Sequence, residues 1–198
     1  AGVPPQETRF FADGGYFTPD ARGRFVATPF RATAQTVSEA WPFLLNTGRL
    51  RDQWHTMTRT ARAPRLMLHA PEPCLDMHPA DAAWLGIASG DLVEVESASG
   101  TVVLRLVEQP GQRPGEVFAP IHWTDQLASQ ARVDTLVAPI CDPVSGQPES
   151  KATPVAVRRC AVAWHGFALN TTELALAEHG YFAVARTAGG YRCELAGK

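Results

Sequence analysis

Apolar residues in the middle of the chain follow the two-residue period of β-strands. Two short apolar runs, Leu92–Val95 and Val102–Leu106, are joined through a turn at residues 97–100, which read SASG. Alternating apolar runs joined by a short Gly-containing turn predict a β-hairpin. We expect Gly100 to occupy a turn position that needs a positive φ.

Shorter elements flank this hairpin. Pro79 suits the first turn of a helix and Gly86 suits its end, so a helix is predicted over residues 80–85. Apolar runs bounded by turn residues predict further strands at 41–46, within 114–123 and at 154–162. Short strands with few helices indicate a mainly β fold, a compact mixed β-barrel. The alternation of strands and helices that a doubly wound sheet requires is absent from the sequence, as are GxGxxG and Walker motifs.

The two ends of the chain have a different character from its centre. Residues 1–40 have aromatic residues but little periodicity, and we interpret them as a lead-in from a preceding domain. The barrel is predicted over residues 41–163. A C-terminal extension over 164–198 is predicted to hold a helix at 172–178, capped by Thr171 or Thr172, and a strand at 181–186. Because the chain begins at Ala1, we expect it to be part of a longer protein.

Charge and cysteine content exclude several classes of function. The formal net charge of −2 argues against general electrostatic binding of nucleic acid. The longest apolar stretches, such as residues 101–107, are far shorter than the roughly 20 residues that cross a bilayer. The four cysteines are widely spaced with no Cys-x-x-Cys pair, which favours reduced thiols in a cytoplasmic protein.

Hydrogen-bond donors are concentrated in residues 47–60, which read TGRLRDQWHTMTRT. A strand end followed by Gly48 lets backbone N–H groups approach an anion, and Arg49 offers a guanidinium that matches phosphate oxygens. The alternative is an ordinary turn with a surface arginine. The further donors around Trp54 favour a polyanionic, heterocyclic ligand. His55 could be a general base, a metal ligand, a contact to the bound ligand or a residue that orients the loop.

Other candidate chemistry is weaker. Cys74 and His78 lie four positions apart but have no second pair to complete a tetrahedral zinc site. Lys151 follows a turn rich in proline and glycine, which could direct its ammonium group to an anion or leave it in solvent. No persuasive Ser-His-Asp or Cys-His arrangement is present in the sequence.

Four motifs in order carry a family resemblance. They are TGRLRDQWHTMTRT, HPADAAWLGIASGDLVEVESASG, PGEVFAPIHWTDQ and DPVSGQPESKATPVAV. Together they resemble the C-terminal molybdopterin-dinucleotide-binding domain of prokaryotic molybdenum oxidoreductases. The wording HW and DPVSGQPESK, with FADGGYFTPDARGRF upstream, resembles the catalytic subunit of a cytoplasmic assimilatory nitrate reductase.

The resemblance implies a fold and a cofactor site. The fold is a double-psi β-barrel of the aspartate-decarboxylase-like kind, mainly β with short helices. The cofactor is molybdopterin guanine dinucleotide, held in the complete enzyme as Mo-bis-MGD. At Asp134 the chain departs from relatives that have asparagine, which removes amide donors. The implied cofactor-binding residues are Thr47, Gly48, Arg49, Leu50, Arg51, Asp52, Gln53, Trp54, His55, Thr56, His122, Trp123, Asp134 and Lys151.

The same resemblance implies partners outside this chain. A 4Fe–4S cluster is expected in an N-terminal part of the parent enzyme, together with an electron donor protein or module and nitrate near the substrate funnel. The chain alone, with no catalytic residue assigned, is expected to be inactive. Two alternatives stay open: the same domain in a formate dehydrogenase or another oxyanion reductase, and a non-catalytic double-psi barrel that serves as an interaction module.

Overall fold

The computed structural model describes residues 9–176 and 180–197 and divides the chain into two compact units, Ala1–Ala32 and Thr33–Lys198. The described part of the first unit consists of turns and extended chain. The ring of Phe11 stacks on Tyr16, with centroids 4.7 Å apart, while Phe17 and Phe25 are almost fully exposed. The predicted division at residues 40 and 163 stays a prediction.

A closed barrel of six strands forms the centre of the second unit, in the order β1-β5-β2-β4-β3-β6. β1 pairs in parallel with β5 and β2 with β4, while the other neighbours are antiparallel. This closed mixed order confirms the predicted double-psi β-barrel. The strands are β1 (Phe43–Gly48), β2 (Cys74–Met77), β3 (Leu92–Glu96), β4 (Thr101–Glu108), β5 (Glu116–Pro120) and β6 (Thr153–Arg159).

The strand registers define the two ends of the barrel. Gly48 lies opposite Pro120, Leu45 opposite Thr153 and Glu96 opposite Thr101. Strands β1, β3 and β5 therefore end where β2, β4 and β6 begin. We call this end, with the loops that leave it, the site end.

Two short α-helices connect the barrel strands. Helix α1 (Pro64–Met67) follows a 3-10 turn at Thr60–Arg62, and both precede β2. Helix α2 (Pro79–Leu85) begins after His78, whose Nδ1 accepts from the amide of Ala80 at 3.1 Å, and ends at Gly86 in the left-handed region. The helix predicted over 80–85 is thus confirmed, with one more residue at its start. A second 3-10 turn, Val133–Leu136, follows β5.

The predicted hairpin is confirmed as β3 and β4, but the reason predicted for Gly100 is wrong. Gly100 is a described residue, and its backbone φ is not positive. A Cβ atom there would lie 2.7 Å from the carbonyl oxygen of Thr135. Gly100 is therefore required because the second 3-10 turn approaches the hairpin closely.

The C-terminal residues form a three-stranded antiparallel sheet in the order β7-β9-β8. Its strands are β7 (Trp164–Asn170), β8 (Tyr181–Thr187) and β9 (Gly190–Gly197). Tyr181, Ala183 and Ala196 belong to the same apolar core as the barrel, so this sheet is packed on it. The strand predicted at 181–186 is confirmed as β8, whereas β7 and β9 were not predicted.

The helix predicted over 172–178 is wrong in the part that the structure describes. Residues 173–176 have no regular secondary structure, while residues 177 and 178 lie outside the described residues. Leu174 and Leu176 pack against Val184 and Cys193 on the outer face of the C-terminal sheet. This packing gains apolar burial without a helix, and it overrides the weak helical preference of the segment.

Candidate functional site

The parallel pairing of β1 and β5 brings two distant parts of the sequence together at the site end. The amide of Ile121 donates to the carbonyl oxygen of Gly48 at 3.0 Å, just beyond the paired strand ends. The chain after Gly48 enters the donor-rich segment, and the chain after Ile121 enters His122 and Trp123. We call residues 49–58 the site loop.

Lys151 reaches this end of the barrel from the start of β6. Its ammonium group donates to the carbonyl oxygen of Thr47. The hydroxyl of Thr47, which is 2% exposed, donates to the carbonyl oxygen of Ser150 at 2.7 Å. These two bonds fix a positive charge beside the end of β1, where the site loop begins.

Arg49, Trp54 and His55 form a stacked group on the site loop. The guanidinium carbon of Arg49 lies 5.3 Å from the ring centroid of Trp54, and the rings of Trp54 and His55 meet edge to face at 4.6 Å. Trp54 is 60% exposed, although leaving a tryptophan side chain in water has a cost in free energy. An exposed aromatic face beside a cation suits a planar, anionic ligand.

Arg51, Asp52 and His69 form a charged cluster on the outer side of the same loop. Arg51 donates from Nε to Asp52 at 3.0 Å, and Nδ1 of His69 contacts the other carboxylate oxygen. The hydrogen bond from Arg51, followed by the contact with His69, lowers the pKa of Asp52 to about 2. The cluster borders a cavity of about 270 Å³ that Leu50 and Gln53 also line.

Gln53 anchors the loop from beneath. It is 5% exposed, and its Nε2 donates to the carbonyl oxygen of Leu66 at 2.9 Å. Its Oε1 is buried without a hydrogen-bond partner among the described residues. Thr56 is exposed, and Met57 is buried in the barrel core, so the loop is held at both Gln53 and Met57.

His122 is fully buried and holds the site loop with both ring nitrogens. Its Nε2 accepts from the amide of Leu50 at 2.8 Å, and its Nδ1 lies 2.6 Å from the carbonyl oxygen of His55. A carbonyl cannot donate and an amide N–H cannot accept, so the ring is neutral and carries its proton on Nδ1. Burial lowers the pKa of His122, and the charge of Arg49 adds to this effect, although the bond to His55 opposes it.

Trp123 and Asp134 are placed differently from the rest of the predicted set. Trp123 is 1% exposed within the core, and its indole N–H has no partner among the described residues. Asp134 is exposed on the second 3-10 turn, which packs on the β3–β4 hairpin at the site end. The predicted residues therefore lie on segments that leave the site end of the barrel, but among the described residues Trp123 and Asp134 form no hydrogen bond, ion pair or ring contact with Arg49 or Lys151.

Sequence reasoning missed some residues that shape this site. His69 and Ser150 contact predicted residues, and Met57 anchors the loop in the core. Met57 was the one with a local signal, since it is the apolar residue among the polar residues 55–60. The contacts of His69 and Ser150 depend on strand pairing that no local pattern records.

The arrangement is chemically suited to binding an anion with an aromatic ring system. Arg49 and Lys151 supply positive charge, and the exposed face of Trp54 supplies a stacking surface. No cluster of three or more His, Cys, Asp or Glu side chains that could hold a metal ion occurs in residues 9–176 and 180–197. Across the same residues, no helix has the length and apolar character needed to cross a membrane.

The barrel residues are similar in sequence to those of known proteins. The model of the molydopterin dinucleotide binding domain family matches residues 43–154, from the first residue of β1 into the start of β6. A nitrate reductase of Klebsiella oxytoca is 46% identical over 147 residues, which is 74% of this chain and 17% of that protein. A nitrate reductase of Symbiobacterium thermophilum is 36% identical over 148 residues, 73% of this chain and 19% of that protein.

Among solved structures, acetylene hydratase from Pelobacter acetylenicus has the same fold in part. The TM-score is 0.52 at 20% sequence identity, over 61% of this chain and 18% of that one. The chain thus spans less than a fifth of the length of these relatives.

Proposed function

Because the chain belongs to the molydopterin dinucleotide binding domain family, we propose that the site end of its barrel holds the guanine dinucleotide part of a molybdopterin cofactor. The observation that carries this proposal is the stack of Arg49 on Trp54, with the ammonium of Lys151 held at Thr47, two residues before Arg49. A dinucleotide offers diphosphate oxygens to the two cations and a planar base to the indole. The residues present therefore fit the group.

Each part of the site has a distinct task in this proposal. The guanidinium of Arg49 donates to phosphate oxygens, since its planar donors match their spacing. Lys151 contributes a positive charge beside the end of β1, because its ammonium is held at the carbonyl oxygen of Thr47. The buried donor of Trp123 and the hydroxyl of Thr56 are further candidates for polar contacts with the cofactor.

We further propose that the complete protein is a cytoplasmic, assimilatory nitrate reductase that converts nitrate to nitrite. This is supported by the 46% identity to the Klebsiella oxytoca nitrate reductase over 147 residues. When bound, the molybdenum cofactor supplies the redox chemistry that removes one oxygen atom from nitrate. Electrons would come from a donor through a 4Fe–4S cluster in another part of the protein, and this domain would bind and orient the cofactor.

The test compares cofactor content among variants of the complete enzyme. Arg49→Ala and Lys151→Ala are expected to lower both bound molybdenum and the GMP released by acid, because each removes a charge that faces the diphosphate. Removing a charge-assisted hydrogen bond weakens binding by about tenfold or more. The matched control is Arg113→Ala, since Arg113 lies at the opposite end of the barrel and pairs with Glu116.

The outcomes separate clearly. Loss of GMP and molybdenum in the two site variants, with full content in Arg113→Ala, supports the proposal. Full cofactor content in Arg49→Ala and Lys151→Ala would show that the site end does not hold the dinucleotide.

A further inference from the structure

His122 connects two points of the site loop that lie five residues apart. The ring accepts a hydrogen bond from the amide of Leu50 and donates one to the carbonyl of His55. Between these points the chain carries Arg51–Trp54, which includes the exposed indole of the stacked group. The imidazole is itself fixed, because it is fully buried directly after β5.

The loop needs such a restraint because its backbone is strained. His55 has a φ of 44° and Met57 a φ of 58°, both in the left-handed region that non-glycine residues avoid. Such conformations persist only where the surroundings hold them. The buried side chain of Met57 holds one of these residues, and the bond from His122 to the carbonyl of His55 holds the other.

We propose that His122 is the positioning residue of the site loop: its neutral, Nδ1-protonated ring holds Leu50 and His55 so that Arg49 and Trp54 face one ligand. In this role the imidazole does not itself contact the cofactor or the substrate. The inference rests on the proposed function for the identity of the ligand, but the tether itself is a property of the protein alone.

Two near-isosteric variants separate the two hydrogen bonds. In His122→Gln the amide oxygen can take the place of Nε2 and accept from Leu50, while the donor to His55 is lost. In His122→Asn the amide nitrogen can take the place of Nδ1 and donate to His55, while the acceptor for Leu50 is lost. His122→Phe removes both bonds, and His165→Phe on the exposed strand β7 is the control.

Hydrogen exchange of the Leu50 amide in the complete, cofactor-loaded enzyme reports the first bond directly. We expect exchange to be about tenfold faster in the Asn and Phe variants than in wild type, with Gln and His165→Phe close to wild type. The Asn and Phe variants should also release GMP-bearing cofactor faster. Equal Leu50 exchange in the Gln and Asn variants would overturn the inference.

A measurement on the unaltered protein keeps the inference testable if a variant fails to fold. Nitrogen-15 NMR of the imidazole should show a protonated Nδ1 and an unprotonated Nε2, and the protection factor of the Leu50 amide, the intrinsic exchange rate at each pH divided by the observed rate, should fall as acid protonates the ring. The opposite tautomer would overturn the assignment. If the tautomer is as described but the enzyme contains no guanine nucleotide, the tether stands and the proposed function fails.

Discussion

Gly48 lies under the ring of Phe118, so closely that a Cβ atom at position 48 would be 2.5 Å from Cε2 of that ring. Gly48 is the last residue of β1, and Phe118 is on the neighbouring strand β5. The lack of a side chain at Gly48 therefore allows the two strand ends to carry the site loop and His122 side by side.

Replacing Gly48 by alanine is expected to destabilise the protein by about 1–3 kcal/mol, because the added methyl group overpacks this contact. Urea unfolding measures the change. Phe118→Leu in the same chain should recover part of the loss, and Gly111→Ala, with no atom within 4 Å of its added Cβ, is the control. A Gly48→Ala protein as stable as wild type would show that the close approach has no energetic consequence.

The C-terminal sheet is joined to the barrel by a half-buried polar group. Arg105 donates to Glu72 at 3.0 Å, and the hydroxyl of Tyr181 donates to the same carboxylate oxygen at 3.2 Å. Burial raises the pKa of Tyr181, with a smaller contribution from the charge of Glu72, so its hydroxyl stays protonated and donates at neutral pH.

Tyr181→Phe is expected to lower the free energy of unfolding by about 1–2 kcal/mol, since it removes a hydrogen bond to a charged group. Tyr191→Phe, whose hydroxyl pairs with the exposed Arg186, should cost less. Both are measured by urea unfolding. Equal losses would show that the bond from Tyr181 to Glu72 adds nothing to the docking of the sheet.

Acid is expected to weaken the fold through His122. Its pKa is lowered in the folded protein, so its contribution to stability is complete above the ordinary histidine pKa and decreases as the pH falls toward the folded pKa. Wild type should therefore exceed His122→Gln in stability by more at pH 7.5 than at pH 5.5. If urea unfolding gives the same stability difference at both pH values, then the fold does not lower the pKa of His122, and this account of its neutral ring is wrong.

The cysteines are expected to differ in their reactivity toward a thiol reagent, because their exposure to solvent differs. Cys141 is exposed, Cys193 is buried, and burial raises the pKa of Cys74 to about 12. Because the thiolate is the reactive form, a thiol reagent at pH 8 should modify Cys141 far faster than Cys74 or Cys193. Mass spectrometry identifies the site, and Cys141→Ser should remove the fast phase. Early modification of Cys74 would contradict this account of its burial.

Local patterns in the sequence were sufficient for much of the barrel. The β3–β4 hairpin and helix α2 follow from alternation, a turn and helix-ending residues that act within a few positions. Strand β9 was missed although Tyr191, Cys193 and Leu195 alternate with Arg192 and Glu194. Strand β7 has no buried apolar run, since Phe167 and Leu169 are both 69% exposed. The helix expected at 172–178 was wrong in its described part because Leu174 and Leu176 pack against the C-terminal sheet from an irregular segment.

The candidate site shows where sequence reasoning is limited. Thr47–Thr56 could be identified because their donors are adjacent in the chain. The task of His122 could not, since it depends on the parallel pairing of β1 with β5, which joins residues more than seventy positions apart. A histidine bonded to two backbone groups has no local pattern that distinguishes it from one that faces a ligand.

The most direct test of the central claim is hydrogen exchange of the complete enzyme with and without its cofactor, resolved by peptide. If the site end holds the dinucleotide, the cofactor should protect residues 47–56 and leave the opposite end, at residues 109–115, unchanged. Equal exchange of residues 47–56 in the two forms, or protection confined to residues 109–115, would contradict the account.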